Sequence, residues 1–183
     1  MARRISVLIG SLRRESINRK LANALMRLAP ADFTFVELKI DDLPPFNQDL
    51  EKTPAAPVKR LKDDIAASQG LLFVTPEYNR SLPGVFKNAI DHASRPYGQN
   101  AWAGKPAGII GASIGAIGSA VAQSHLRGVL GYLDVPTLGQ PEAYINVGKD
   151  FFDAEGGIAN ADTRKFLQGW MDAYVAWVNR LAG

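Results

Sequence analysis

The 183-residue chain contains no cysteine. That absence excludes disulfides, thiolate metal sites, iron–sulfur clusters and cysteine nucleophiles, and it fits a reducing compartment. Histidine is nearly as scarce, with only His92 and His125. No apolar run approaches the roughly 18 residues of a membrane span, and the short stretch Ile5–Ile9 between Arg3-Arg4 and Gly10 is too brief for a secretory h-region. Lysine and arginine are dispersed. A net charge of +3 suits small anionic ligands and gives no support for nucleic acid as a partner. These absences give the expectation of a cytoplasmic, single-domain protein spanning residues 1–183, with neither membrane nor nucleic-acid partners.

Some familiar motifs are missing or fail on inspection. No G-x-G-x-x-G occurs, so the usual dinucleotide fingerprint is absent. Gly111-Ala112-Ser113-Ile114-Gly115 matches the G-x-S-x-G of hydrolases, but that chemistry needs a histidine within reach of the serine. His125 falls in the following helix, roughly 18 Å along its axis at ~1.5 Å per residue, and His92 is expected at the far end of its own helix. Gly98 to Lys105 fails as a Walker loop, because the spacing is wrong and Pro106 replaces the hydroxyl residue. Asn79-Arg80-Ser81 is a glycosylation sequon that stays silent without a secretory signal.

What is present alternates regularly. Strands are predicted at Ile5–Ile9, Phe33–Leu38, Gly70–Thr75, Pro106–Ala112 and Gln140–Ile145, the third and fourth as continuous apolar runs suited to a sheet buried on both faces. Helices are predicted at Ser16–Ala29, Ala56–Gln69, Pro83–Ser94, from the Gly118 region to Leu130, and Asp162–Leu181, the last with Leu167, Trp170, Met171, Tyr174, Val178 and Leu181 inward. Pro83 is expected in the first turn of its helix. The Pro- and Asp-rich stretch 41–57 is expected as a surface loop near the mouth of a site. This β-α alternation predicts an α/β, doubly wound parallel sheet in one domain. Ligands of such sheets bind beyond the C-terminal strand ends, where the polar loops 10–18, 76–83 and 112–118 should meet.

The first loop gathers Ser11, Arg13, Ser16 and Asn18 where a helix begins. Free N–H groups and the dipole favour an anion there, and Arg13 can add a two-pronged charged contact. A phosphate site and an ordinary βα turn with Ser16 as N-cap both fit these residues. Pro76-Glu77-Tyr78-Asn79 offers exposed backbone and a flat ring for a heteroaromatic edge, or simply a rigid turn. Ser113 and Gly115 can close the opposite edge. Gly118 reads equally as a site for tight packing.

Gly-Ser-Leu-Arg-x-x-Ser-x-Asn at 10–18 and Thr-Pro-Glu-Tyr-Asn-x-Ser-x-Pro-Gly-x-x-Lys-Asn-Ala-Ile-Asp at 75–91 resemble the NADPH-dependent FMN reductase family, which includes quinone and chromate reductases. The resemblance covers roughly residues 4–145. It implies a flavodoxin-like three-layer sandwich with strand order 2-1-3-4-5, bound FMN, NADPH or NADH as hydride donor, a small-molecule electron acceptor, and a homodimer or homotetramer. By position it assigns Ser11, Arg13, Ser16 and Asn18 to the phosphate, with Leu12 and Ile17 among the cofactor-binding residues, Pro76, Glu77, Tyr78 and Asn79 to the isoalloxazine, and Ser113, with Gly115 beside it, to its far edge. No acid–base residue is required, because the cofactor does the chemistry. The alternatives are a flavodoxin-like electron carrier and a reductase of freely exchanging FMN.

Overall fold

Apolar side chains alternate between the two faces of the central strands, and each face is roofed by its own helices. The computed structural model describes residues 2–182. Its elements are β1 (Arg3–Ile9), α1 (Ile17–Met26), β2 (Phe33–Glu37), α2 (Ala56–Ala66), β3 (Gly70–Val74), α3 (Gly84–Ser94), β4 (Ala107–Ser113), α4 (Ala120–Tyr132), β5 (Tyr144–Asn146) and α5 (Ala161–Leu181), with a short 3-10 turn at Gln48–Leu50. The five strands form one parallel sheet in the order β2-β1-β3-β4-β5. This is the doubly wound, flavodoxin-like topology that the sequence predicted.

On one face Ile5, Val7, Ile9, Leu72, Val74 and Ile110 pack against α1 and α5. On the other, Leu8, Leu71, Phe73 and Ile109 pack against α2, α3 and α4. Each large side chain removed from water in this way contributes about 1.5–3 kcal/mol before entropy is counted. Buried polar groups find partners: Tyr174 Oη donates to Leu71 O at 2.9 Å, and Trp102 Nε1 donates to Ile90 O at 3.0 Å. Burial also pushes the Tyr174 phenol well above its usual range.

The structure departs from the sequence expectations in several places. Helix α1 ends at Met26, so Leu28 lies in the turn beyond it. Pro83 is the N-cap of α3 rather than a residue of its first turn. Strand β5 is short, because only Tyr144–Asn146 pair with β4, and Pro141 has no N–H to offer a ladder. Leu181 is 41% exposed at the frayed end of α5, not inward. Beyond its start at Asp41, which shares a small pocket with Ile9 and Leu12, the 41–57 segment packs on α2 and α3, where Asn88 Oδ1 accepts from Phe46 N at 2.7 Å and Arg95 pairs with Glu51 at 2.6 Å.

Candidate functional site

Because β1, β3 and β4 are parallel neighbours, the loops that follow them leave the sheet on the same rim. The first loop begins at Gly10, whose N–H donates to Val74 O at 2.9 Å. A Cβ there would lie 2.8 Å from Phe86 and 2.9 Å from Pro76, so the glycine lets the second loop close against the first. Helix α1 starts at Ser16, whose Oγ accepts from Arg19 N at 3.2 Å. The N-cap reading is therefore present. The first-turn N–H groups of Ile17 and Asn18 have no acceptor inside the helix and remain available to an anion. Ser11 is buried, and its hydroxyl lies a long 3.4 Å from Tyr78 Oη of the second loop. Leu12 and Arg13 are exposed. The Arg13 side chain has no protein partner among the described residues, whereas Arg19 beside it is held by Glu37 at 2.7 Å.

Asn18, expected among the phosphate-holding groups, is turned inward and 1% exposed. Its amide donates to Ala112 O and accepts from Ala112 N, both at 2.9 Å. Its side chain ties the first loop to the end of β4.

The second loop is a tight hairpin. Tyr78 and Ser81 exchange backbone bonds of 3.1 and 3.0 Å, and Asn79 and Arg80 between them have φ of 50° and 62°. Two successive left-handed residues define a type I′ turn. Asn79 accepts that conformation readily, while Arg80 is strained in it. Tyr78 stands 43% exposed at the rim. Glu77, by contrast, turns its side chain inward to 6% exposure, pairs with Arg80 at 2.9 Å and accepts from Val121 N and Ala122 N at 2.9 and 3.2 Å. Ser81 Oγ lies 3.1 Å from His125 Nδ1. The sequence reading missed Val121 and Ala122 as partners of Glu77 and His125 as the partner of Ser81, since all three lie more than forty positions away.

The third loop turns at Ser113, whose Oγ accepts from Gly115 N at 3.0 Å, and Asn146 Nδ2 donates to Ile114 O and Gly115 O at 3.1 and 2.9 Å. Ile114 is 83% exposed above it. Gly118 has φ of 60°, and a Cβ on it would lie 2.6 Å from the Tyr144 carbonyl carbon. It serves packing, whereas the space beside Gly115 is open except for Ser113 Oγ at 3.4 Å. Between the second and third loops lies a cavity of about 370 Å³, lined by Glu77, Asn79, Arg80, Ser113, Gly115 and Gly118 among others. A larger one, about 730 Å³, sits under the 44–55 segment against α2 and α3, away from every predicted site residue. Among the described residues no cluster of side chains is fit to hold a metal ion, and no helix is long and apolar enough to cross a membrane.

An open helix N-terminus with an arginine that has no partner among the described residues, on the same rim as a cavity between the second and third loops and the exposed ring of Tyr78, fits a nucleotide whose phosphate and ring are held by separate loops. Fold and rim together define a flavodoxin-like mononucleotide-binding domain. A family model described as NADPH-dependent FMN reductase matches residues 3–150, and the chain belongs to that family. It is 55% identical to a 2-hydroxy-1,4-benzoquinone reductase of Burkholderia sp, over 97% of both chains. It is 47% identical to a quinone reductase of Pseudomonas putida, over 95% of this chain and 94% of the other. Among solved structures, the flavoenzyme NAD(P)H:(acceptor) oxidoreductase FerB of Paracoccus denitrificans superposes with a TM-score of 0.94 at 46% identity, covering 98% of each chain.

Proposed function

We propose that this protein is an FMN-dependent NAD(P)H oxidoreductase acting on quinones, with chromate, azo or nitro compounds as further acceptors. The observation that carries the reading is the unpartnered Arg13 beside the open first turn of α1; family membership supports it, as do quinone-reducing relatives matched over nearly their whole length. FMN held on this rim would supply hydride-transfer chemistry between a reduced nicotinamide and an acceptor; the protein supplies binding and orientation. Ser11, Arg13 and the N–H groups of Ile17 and Asn18 hold the phosphate, with Ser16 ordering the turn and Leu12 shielding it. Pro76, Tyr78 and the backbone of Asn79 border the ring on one side, and Ser113 and Gly115 on the other. Backbone N–H groups of these loops not already bonded within them would stabilise negative charge gained on reduction. Donor and acceptor share one open face, so the kinetics are ping-pong. A cytoplasmic homodimer or homotetramer belongs to the same reading.

Purified protein should be yellow and release FMN on denaturation. NADPH or NADH alone should bleach the bound flavin, and a quinone should restore it. Protein that takes up no FMN in titration overturns the proposal. Bleaching that requires a partner reductase would identify an electron carrier, and flavin lost on dilution would identify a reductase of free FMN. Steady-state rates across acceptors with both nucleotides then define the substrate.

A further inference from the structure

Of the helices that begin on the functional rim, α1 and α4 treat their N-termini differently. The first turn of α1 is open toward Arg13. That of α4 is filled from within: Glu77 Oε2 accepts from Val121 N at 2.9 Å and Ala122 N at 3.2 Å, while Glu77 Oε1 pairs with Arg80 at 2.9 Å. A carboxylate in that place occupies the N–H groups that would otherwise attract an anion. The protein thus closes one of two neighbouring anion sites with its own side chain and leaves the other free.

The same carboxylate is a brace. It joins the second loop to the helix that follows the third, and these two loops border the 370 Å³ cavity. It also anchors Arg80, whose left-handed backbone needs such support. A second tie, Ser81 Oγ to His125 Nδ1 at 3.1 Å, lies one helical turn further along α4. The charge of Glu77 is 6% exposed and lines the cavity, so water screens it weakly there.

Resting on the assignment of FMN to this rim, we propose that Glu77 is a positioning residue with two effects: it fixes the spacing of the loops on either side of the flavin ring, and its negative charge opposes the charge gained on reduction, keeping the flavin potential low. Both carboxylate oxygens are already engaged, by Arg80 and by the first turn of α4, and the side chain acts through those groups.

Two substitutions separate the effects. Glu77→Gln keeps an acceptor for Val121 and Ala122 but removes the charge, leaving Arg80 and the α4 dipole uncompensated. It should change the Kd for FMN by no more than about threefold and move the midpoint potential of bound flavin, measured spectroelectrochemically, to more positive values. Glu77→Ala also removes the brace and should raise the Kd for FMN by about tenfold or more. Unchanged potential in Glu77→Gln overturns the electrostatic role, and unchanged affinity in Glu77→Ala overturns the brace. Should Glu77→Ala fail to fold, near wild-type affinity in Glu77→Gln still supports the brace, and affinity lost in Glu77→Gln, which keeps the acceptor, overturns it. Wild-type protein that binds no FMN overturns the functional reading itself, a result recognisable before either variant is made.

Discussion

The carboxamide of Asn18 clasps the peptide of Ala112, donating to its carbonyl and accepting from its N–H at 2.9 Å each. Two segments far apart in sequence are thereby locked, one bearing Arg13 and the other leading to Ser113. The clasp is buried, so breaking it strands a backbone donor and acceptor. Asn18→Ala should destabilise the protein by about 2–4 kcal/mol, lowering Tm by roughly 5–15 °C. Calorimetry with and without FMN measures it; an unchanged Tm would show that the clasp contributes nothing.

Arg13 differs from its neighbour Arg19 in having no internal partner. Arg13→Ala should therefore leave thermal stability of the apoprotein within about 0.5 kcal/mol, as for exposed positions generally, while weakening FMN binding by about 1–3 kcal/mol. Fluorescence titration at two salt concentrations checks both the loss and its electrostatic origin. Equal affinity would remove Arg13 from the site.

Gly115 and Gly118 should separate a ligand-facing glycine from a packing one. Gly118→Ala puts a Cβ on a left-handed backbone against the Tyr144 peptide and should cost about 1–3 kcal/mol of stability. Gly115→Ala meets only Ser113 Oγ, so it should fold normally and weaken FMN binding instead. Urea unfolding set beside flavin titration distinguishes them. The opposite pattern would reverse the assignment.

Asp42 provides a pH signature away from the site. Hydrogen bonds from Arg60, with Lys39 adding to them, lower its carboxyl to about 2. A depressed folded-state value means that the pair's contribution is present above about 4, the unfolded value, and is lost as pH falls through about 2. The stability difference between wild type and Asp42→Asn should stay constant from pH 7 to about 5 and vanish near pH 2. A difference that persists there would exclude ionisation of Asp42 as its source.

Much of this was legible in the residues, for physical reasons. Leu71–Val74 and Ile109–Ala112 are buried on both faces, and such strands are written as unbroken apolar runs. The loop proposed to hold the phosphate is local, so its parts lie within nine positions of one another in the chain. Non-local polar contacts were not legible. Glu77 in the second loop looks like any exposed acid until α4 is placed beside it. His125 cannot reach Ser113 along its own helix, yet it meets Ser81 across the rim. The 41–57 segment shows its prolines in sequence but not the Asn88 and Arg95 side chains that draw it onto α2 and α3.

Helix α5 begins eleven positions after the family match stops at residue 150. Yet Trp170, Met171 and Tyr174 lie at the centre of one core, and the bare backbone of Gly108 is the notch that receives the Tyr174 and Trp170 rings. Cutting the chain where the family match ends would strip α5 from the sheet face that it shares with α1. The helix that lies beyond the family match is thus the keystone of the core on which the matched portion packs.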